Sequence, residues 1–373
     1  MIKILNDLIS KRSISPDDAG LLDYISEILS KAGFNCVIKE FGENAELTKN
    51  LYAEFGAVGK NLCFAGHVDV VPPGNEESWS YDPFSMQIID GKIYGRGAVD
   101  MKGAIAAMIQ AGIDWSKSNN GRVSYLITSD EEASAKYGTK SMLHWMEENN
   151  IKIDFAIIGE PTSSKEFGDI IKIGRRGSIN FNLKIIGKQG HAAYPELAVN
   201  PNHVLVNIIN KLINYKIDDG NKNFEKSTLQ VTSIDVGNPT SNIIPEEARA
   251  KFNIRFCNEK SAEEIIQEIK TIINSCHDNY NLEYDISARA FLSENHPFTS
   301  NFKQIVEKEC GVSTIFSTSG GTSDARFIKD YCPLLEFGLL NSTAHHIDEC
   351  TEISHLQKLF HVYYKAINSF HST

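Results

Sequence analysis

Apolar positions recur along this chain with two different periods, and the change of period divides it. Residues 62–71 read Leu62-Cys63-Phe64-Ala65-Gly66-His67-Val68-Asp69-Val70-Val71 and are closed by Pro72-Pro73-Gly74. That is the pattern of a buried strand entering a turn. Val123-Ser124-Tyr125-Leu126-Ile127-Thr128 runs in the same way into Ser129-Asp130-Glu131-Glu132, and Phe155-Ala156-Ile157-Ile158 into Gly159-Glu160-Pro161-Thr162. Helical spacing separates them. Ile2, Leu5, Leu8 and Ile9 mark one helix, and Leu21, Leu22, Ile25, Ile28 and Leu29 a second, stopped by Gly33. Shorter strands are expected at Val37-Ile38 and at 51–55. A glycine-rich turn, Gly91-Lys92-Ile93-Tyr94-Gly95-Arg96-Gly97, leads through Asp100-Met101-Lys102-Gly103 to a small-residue helix around 104–109. Buried strands alternating with helices predict a βαβ sheet, and each strand ends in acidic or histidine residues.

From Gly177 the grammar changes. Residues 179–186 alternate as a half-buried strand, 200–215 read as a helix, and 229–236 and 248–256 as strands. Residues 261–276 read as a helix capped by Ser261, and 282–288 as a strand. The order β-α-β-β-α-β is ferredoxin-like. It predicts a second domain, 177–289, inserted into a first made of 1–176 and 290–373. The chain returns through Ser319-Gly320-Gly321-Thr322-Ser323-Asp324, a strand around Leu334-Leu335-Glu336-Phe337 and a last helix from Ile353.

Length and charge narrow the classes of partner. At 373 residues each domain can bury its own core. Against 37 basic residues stand 48 acidic ones, a formal charge of −11, which argues against nucleic acid or an anionic membrane as partner. A small anionic substrate needs only a few local cations. The seven cysteines are scattered with no C-x-x-C pair, a pattern of a reducing compartment. The first ten residues carry Asp7 and lack a basic segment followed by an apolar core, so the cytoplasm is the expected location. No apolar run approaches the ~18 residues of a membrane span.

The chemistry collects on the polar rim. On a strand His67 and Asp69 point the same way, at the end that faces the crevice of an open α/β sheet. Neutral imidazole is a common zinc ligand, and a neighbouring carboxylate fixes its tautomer. Further along come Asp100, Glu131, Glu132, Glu160, His345, His346, Asp348 and Glu349. Carboxylates crowded in one crevice repel unless positive charge sits among them. Two histidines with three or four carboxylates suit a pair of divalent cations that share one carboxylate. The residues alone do not separate Glu131 from Glu132, or His345 from His346.

Motifs in order, among them Gly66-His67-Val68-Asp69-Val70-Val71-Pro72, Gly95-Arg96-Gly97-Ala98-Val99-Asp100-Met101-Lys102-Gly103, Ser129-Asp130-Glu131-Glu132 and Gly159-Glu160-Pro161-Thr162, resemble the M20 metallopeptidase family over nearly the whole chain. Gly174-Arg175-Arg176-Gly177-Ser178, Ser319-Gly320-Gly321-Thr322-Ser323-Asp324-Ala325-Arg326-Phe327 and the His345…Glu349-Cys350 ending most resemble its branch acting on N-succinylated amino acids. Deacetylases and dipeptidases of the family are the alternatives. A metal-free binding protein on the same scaffold would lack a ligand or base, and this chain lacks none.

The resemblance implies an α/β, zinc-exopeptidase-like catalytic domain carrying an inserted ferredoxin-like α+β dimerisation domain. It implies two Zn2+ per subunit, with Co2+ acceptable at one site. His67 and Glu160 would hold one cation, Glu132 and His345 the other, with Asp100 between them. Asp69 would orient His67, and Glu131 would be the general base. His191, in Gly190-His191-Ala192-Ala193-Tyr194-Pro195, would reach into the partner subunit's site as an oxyanion donor. Arg175 and Arg255 would take substrate carboxylates, with Arg176 undecided. Ser178, Tyr194, Asn242, Gly321, Thr322 and Asn341 would be further substrate contacts. The expected partners are a small anionic amino-acid substrate and a second copy of the chain, joined through the inserted domain.

Overall fold

The computed structural model describes residues 1–293 and 295–372. Two compact units divide the chain: Met1–Ile173 with Ser293–Ser317 and Ser323–Thr373, and Gly174–Leu292 with Thr318–Thr322.

The first unit is built on an eight-stranded sheet. Its order is Asn35–Phe41, Thr48–Phe55, Arg122–Thr128, Asn61–His67, Phe155–Ile158, Leu334–Glu336, Ile170–Lys172 and Ile315–Ser317. The four strands from Arg122–Thr128 to Leu334–Glu336 run parallel to one another; Thr48–Phe55 pairs antiparallel with both Asn35–Phe41 and Arg122–Thr128, and Leu334–Glu336 pairs antiparallel with Ile170–Lys172. Every residue of Asn61–His67 is buried, which is why that strand reads as an unbroken apolar run. Its regular pairing stops at His67, so Asp69 lies in the segment beyond the strand rather than on it.

The helix Lys102–Ser116 packs close to this sheet because its sequence is small. Gly103, Ala104, Ala106, Ala107 and Ala111 are all buried. The fit is tightest beside the rim. A Cβ at Gly66 would fall 2.2 Å from Met101 Cε, and one at Gly159 would fall 2.7 Å from the same atom. Met101 therefore fills a gap that exists because the residues before His67 and Glu160 have no side chain. The last helix, Ile353–His371, lies against Lys102–Ser116, and its Tyr363 hydroxyl donates to the Phe337 carbonyl at 2.6 Å.

Residues 91–97, expected as a turn, hold a short strand. Lys92–Tyr94 lies between Gln87–Ile89 and Cys350–Glu352 in a three-stranded sheet. Ile93 is buried and supplies the apolar anchor, which its glycine neighbours obscured in the sequence pattern. Among the described residues no helix is long and apolar enough to cross a membrane.

The second unit carries a four-stranded antiparallel sheet ordered Thr228–Asp235, Glu247–Phe256, Gly177–Ile186 and Tyr280–Ala288. The helices Pro201–Ile213 and Ala262–Asn274 complete the β-α-β-β-α-β order. Ile179, Phe181, Leu183 and Ile185 point into their shared core while Asn180 and Asn182 are exposed, the period-two pattern of a one-sided sheet. Ser261 caps its helix in a reciprocal box. Its hydroxyl accepts from the Glu264 N–H at 3.2 Å, and the Glu264 carboxylate accepts from the Ser261 N–H at 2.8 Å, a motif worth about 1 kcal/mol.

The unit extends slightly past 177 and 289, because Gly174–Arg175 pairs with Phe291–Leu292. It also takes in Thr318–Thr322. That short polar segment has no periodicity from which its packing could be read.

Candidate metal centre

His67 ends its strand with its ring 1% exposed. Its Nδ1 lies 2.9 Å from the Asp69 backbone carbonyl, which holds the proton on that nitrogen. Nε2 is thereby left as a lone pair. It faces Asp100 Oδ1 at 3.3 Å and Glu160 Oε1 at 3.7 Å. These three atoms, His67 Nε2, Asp100 Oδ1 and Glu160 Oε1, are each buried without a hydrogen-bond partner. Buried polar atoms are normally satisfied, and three acceptors converging without a donor fit a cation.

The other oxygen of Asp100 turns the opposite way. Oδ2 lies 3.3 Å from His345 Nε2, which is 2.9 Å from Glu132 Oε1. His67, Asp100 and Glu160 thus form one ligand group, and Asp100, Glu132 and His345 a second that shares Asp100. A third grouping brings Glu131 and Glu132 to His67. His346 belongs to none of these groups among the described residues. Together they hold four carboxylates and two imidazoles. Four single negative charges are what two divalent cations would balance.

The proton affinities report the same crowding. Burial alone would lower the pKa of His67, but its contact with Asp100 and the charges of Asp69, Glu131 and Glu160 hold it well above the ordinary value. Asp100 and Glu132 push His345 up to about 10. Asp100 is held low, because the two imidazoles outweigh its burial. Burial, then Asp100 and Glu131, raise Glu160 well above the usual carboxylate range. Burial raises Glu131 to about 8, reinforced by Asp324, Glu132 and Asp100 against the opposing pull of His67. Crowded acceptors raise the proton affinity of their neighbours, and cations among them would relieve the same repulsion.

Asp69 does more than its expected task. Its carboxylate lies 3.6 Å from His67 Nδ1, so the closer hold on the imidazole comes from its carbonyl. The carboxylate accepts instead from the backbone N–H groups of Glu131 at 3.2 Å and Glu132 at 3.1 Å, and from the Ser15 hydroxyl. Asp130, on the far side of that turn, accepts from the N–H groups of Ala135, Lys136 and Tyr137. Asp324, read in the sequence only as part of a glycine-rich turn, is buried and accepts from the Thr139 hydroxyl at 2.6 Å.

The remaining expected residues fall in two places. Asn341 belongs to the first unit, exposed at the start of a single 3-10 turn. The others belong to the second unit. Arg175 Nη1 donates to the Gly321 carbonyl at 3.0 Å, with Thr322 next in the chain. Ser178 and Arg255 are paired across neighbouring strands, and Asn253 bridges them at 3.1 and 3.2 Å. Burial and the charge of Arg176 lower the pKa of Arg255, so two guanidiniums share one neighbourhood. His191, Tyr194 and Asn242 are exposed together. The His191 and Tyr194 rings are 5.5 Å apart, and the Asn242 carbonyl accepts from the Ala192 N–H.

The family model for Peptidase family M20/M25/M40 matches residues 63–369. The chain belongs to this family. Its members are metal-dependent hydrolases of amide bonds, and this chain is one of them. It is 51% identical to the succinyl-diaminopimelate desuccinylase of Orientia tsutsugamushi (strain Boryong) over 373 residues, covering 99% of this chain and 96% of that one. With the succinyl-diaminopimelate desuccinylase of Rickettsia felis it shares 52% identity over 372 residues, covering 97% and 98%. Solved structures repeat the fold at low identity. The M20 family metallo-carboxypeptidase Sso-CP2 from Sulfolobus solfataricus superposes with a TM-score of 0.79 at 20% identity, over 100% of this chain and 99% of that one. The Bacillus subtilis YXEP protein, a dinuclear metal-binding peptidase of the family, gives 0.69 at 15% identity over 100% and 98%.

Proposed function

We propose that this chain hydrolyses N-succinyl-LL-2,6-diaminopimelate to succinate and LL-2,6-diaminopimelate, a step in making lysine and peptidoglycan precursors. The observation that carries the reading is half identity, across nearly the full length, to two succinyl-diaminopimelate desuccinylases. The ligand geometry agrees with it, since no ligand or base of an amide hydrolase is missing.

His67, Asp100 and Glu160 would hold one divalent cation and Asp100, Glu132 and His345 the other, with Zn2+ the proposed metal and Co2+ acceptable at one site. When bound, such a pair acidifies the attacking water and polarises the scissile carbonyl. Glu131 takes the proton from that water and returns it to the leaving amine. Its grouping with His67 and Glu132 puts this carboxylate beside the proposed ligands, where such a proton can be taken up. The Asp69 carboxylate keeps the Glu131-Glu132 turn in place. His191 Nδ1 accepts from the Ala193 N–H at 3.0 Å, which leaves Nε2–H as the outward donor for an oxyanion. Arg175, Arg255 and Ser178, with Gly321 and Thr322, form the proposed cradle for substrate carboxylates. Tyr194 and Asn242 are proposed as further substrate contacts of the second unit, and Asn341 as one of the first.

The chain is proposed to act as a homodimer through its second unit, with His191 serving the partner's site. Support comes from exposed apolar side chains on that unit, Val206 and Ile213 on one helix and Ile234 on the edge strand Thr228–Asp235. Seven free cysteines support a reducing location, the cytoplasm.

Zinc-loaded protein given N-succinyl-LL-diaminopimelate or N-acetylornithine tests the assignment. Chelator-sensitive turnover of the succinyl compound, at least ~100-fold above the acetyl one in kcat/KM, is expected. Preference for the acetyl compound would move the chain to a deacetylase branch.

A further inference from the structure

Two residues in the chemistry-bearing motifs, Arg96 and Glu349, take no part in the centre described above. They are nonetheless buried beside it, Arg96 at 2% and Glu349 at 0% exposure. The two are 253 positions apart in the chain and form an ion pair, Arg96 Nη1 to Glu349 Oε2 at 2.7 Å. A buried ion pair is seldom retained for stability alone, since desolvating both charges offsets most of their attraction. What this pair contacts suggests another purpose.

The Glu349 carboxylate accepts from three backbone N–H groups. Gly97 donates to Oε2 at 3.1 Å, and Val99 and Asp100 donate to Oε1 at 2.8 and 3.1 Å. It therefore fixes the loop that ends in the shared ligand Asp100. The Arg96 guanidinium donates from Nη1 to the His346 carbonyl at 3.2 Å and from Nη2 to those of Pro72 and His345 at 3.4 and 3.5 Å. It thereby fixes the loop carrying His345 and the segment that follows Asp69. The plane of Arg96 is backed by Trp79, 5.1 Å away.

The His345 loop needs such support. His345 has a left-handed backbone (φ 64°), and its side chain is 46% exposed. Thr343 and Cys350 close the base of the loop, and Asp348 ties it to Ser80. Only Arg96 among these contacts bonds to the His345 carbonyl itself.

We propose that the Arg96–Glu349 pair is the positioning device of the second cation site, holding Asp100 and His345 at the separation that one cation between them requires. This rests on the reading of the centre as a cation pair. The two sites depend on it unequally. In the first, His67 and Glu160 are set by buried strand ends, and only Asp100 is set by the pair. In the second, Asp100 and His345 are both set by it, and only Glu132 is not. Loosening the pair therefore costs the second site preorganisation and leaves the first nearly intact.

Equilibrium titration with Co2+, followed by visible absorption, separates the outcomes. Wild-type protein should bind two ions. Glu349→Gln keeps the side chain's shape but replaces one acceptor oxygen with an amide that meets N–H groups. It should bind the first ion within about threefold of wild type and the second at least ~10-fold more weakly. Arg96→Lys, which loses the fork, should show the same asymmetry and guards against a folding defect in the first variant. Faster hydrogen exchange at the Val99 and Asp100 amides of metal-free Glu349→Gln should accompany it. Wild-type affinity for both ions in both variants, or equal weakening of the two sites, would overturn the proposal. A wild-type protein that binds one ion would instead remove the cation-pair reading, and the proposal falls with it.

Discussion

At Asp69 one residue serves two ligand-bearing segments through different groups. Its carbonyl sets the tautomer of His67, and its carboxylate gathers the N–H groups of Glu131 and Glu132. Side-chain chemistry suggests a carboxylate–imidazole pair from the H-x-D spacing alone. The backbone carbonyl could not be read there, because its direction depends on where the strand ends. Glu131, next in this chain of contacts, is grouped with His67 and Glu132, while Glu132 also faces His345. Replacing Glu131 by Gln removes the proton acceptor and preserves volume. The expected outcome is wild-type metal content with turnover reduced about 10³-fold or more, measured by metal analysis and steady-state kinetics on one preparation. A loss smaller than tenfold would take the base role away from Glu131.

At the scale of elements, the parallel strands and small-residue helix were legible because burial on both faces leaves an unbroken apolar run. Ile179, Phe181, Leu183 and Ile185 made the second unit legible for the complementary reason, a core on one side only. Less legible was how closely the helix approaches the strands. In sequence Gly66 reads only as part of a buried strand and Gly159 only as part of the motif that follows one, yet in the fold they are the seats for Met101. That contact joins the segments bearing His67, Asp100 and Glu160. Gly66→Ala would force Met101 from a site where it is fully buried. A loss of about 1–3 kcal/mol in unfolding free energy is expected by denaturant titration, partly restored by adding Met101→Ala. An unchanged midpoint in Gly66→Ala would show that this packing is slack.

For the molecule as a whole, a formal charge of −11 coexists with a pair of neighbouring guanidiniums, Arg176 and Arg255, in the second unit. Net charge argues against polyanions as the main partner and leaves a small anionic substrate open, which is the reading the relatives support. Outside the ligand set, two contacts that join distant parts of the chain escaped the sequence. The Arg96–Glu349 pair spans 253 positions, and Thr318–Thr322 joins the second unit from beyond the inserted segment. No local period encodes either one. The central claim is that five side chains from five segments converge on two cations with Asp100 between them. Anomalous diffraction from zinc-loaded crystals at the zinc edge tests it most directly. Two peaks about 3.5–4 Å apart are predicted, with the Asp100 carboxylate between them, His67 and Glu160 on one and Glu132 and His345 on the other. A single peak, or two peaks that Asp100 does not bridge, would contradict it.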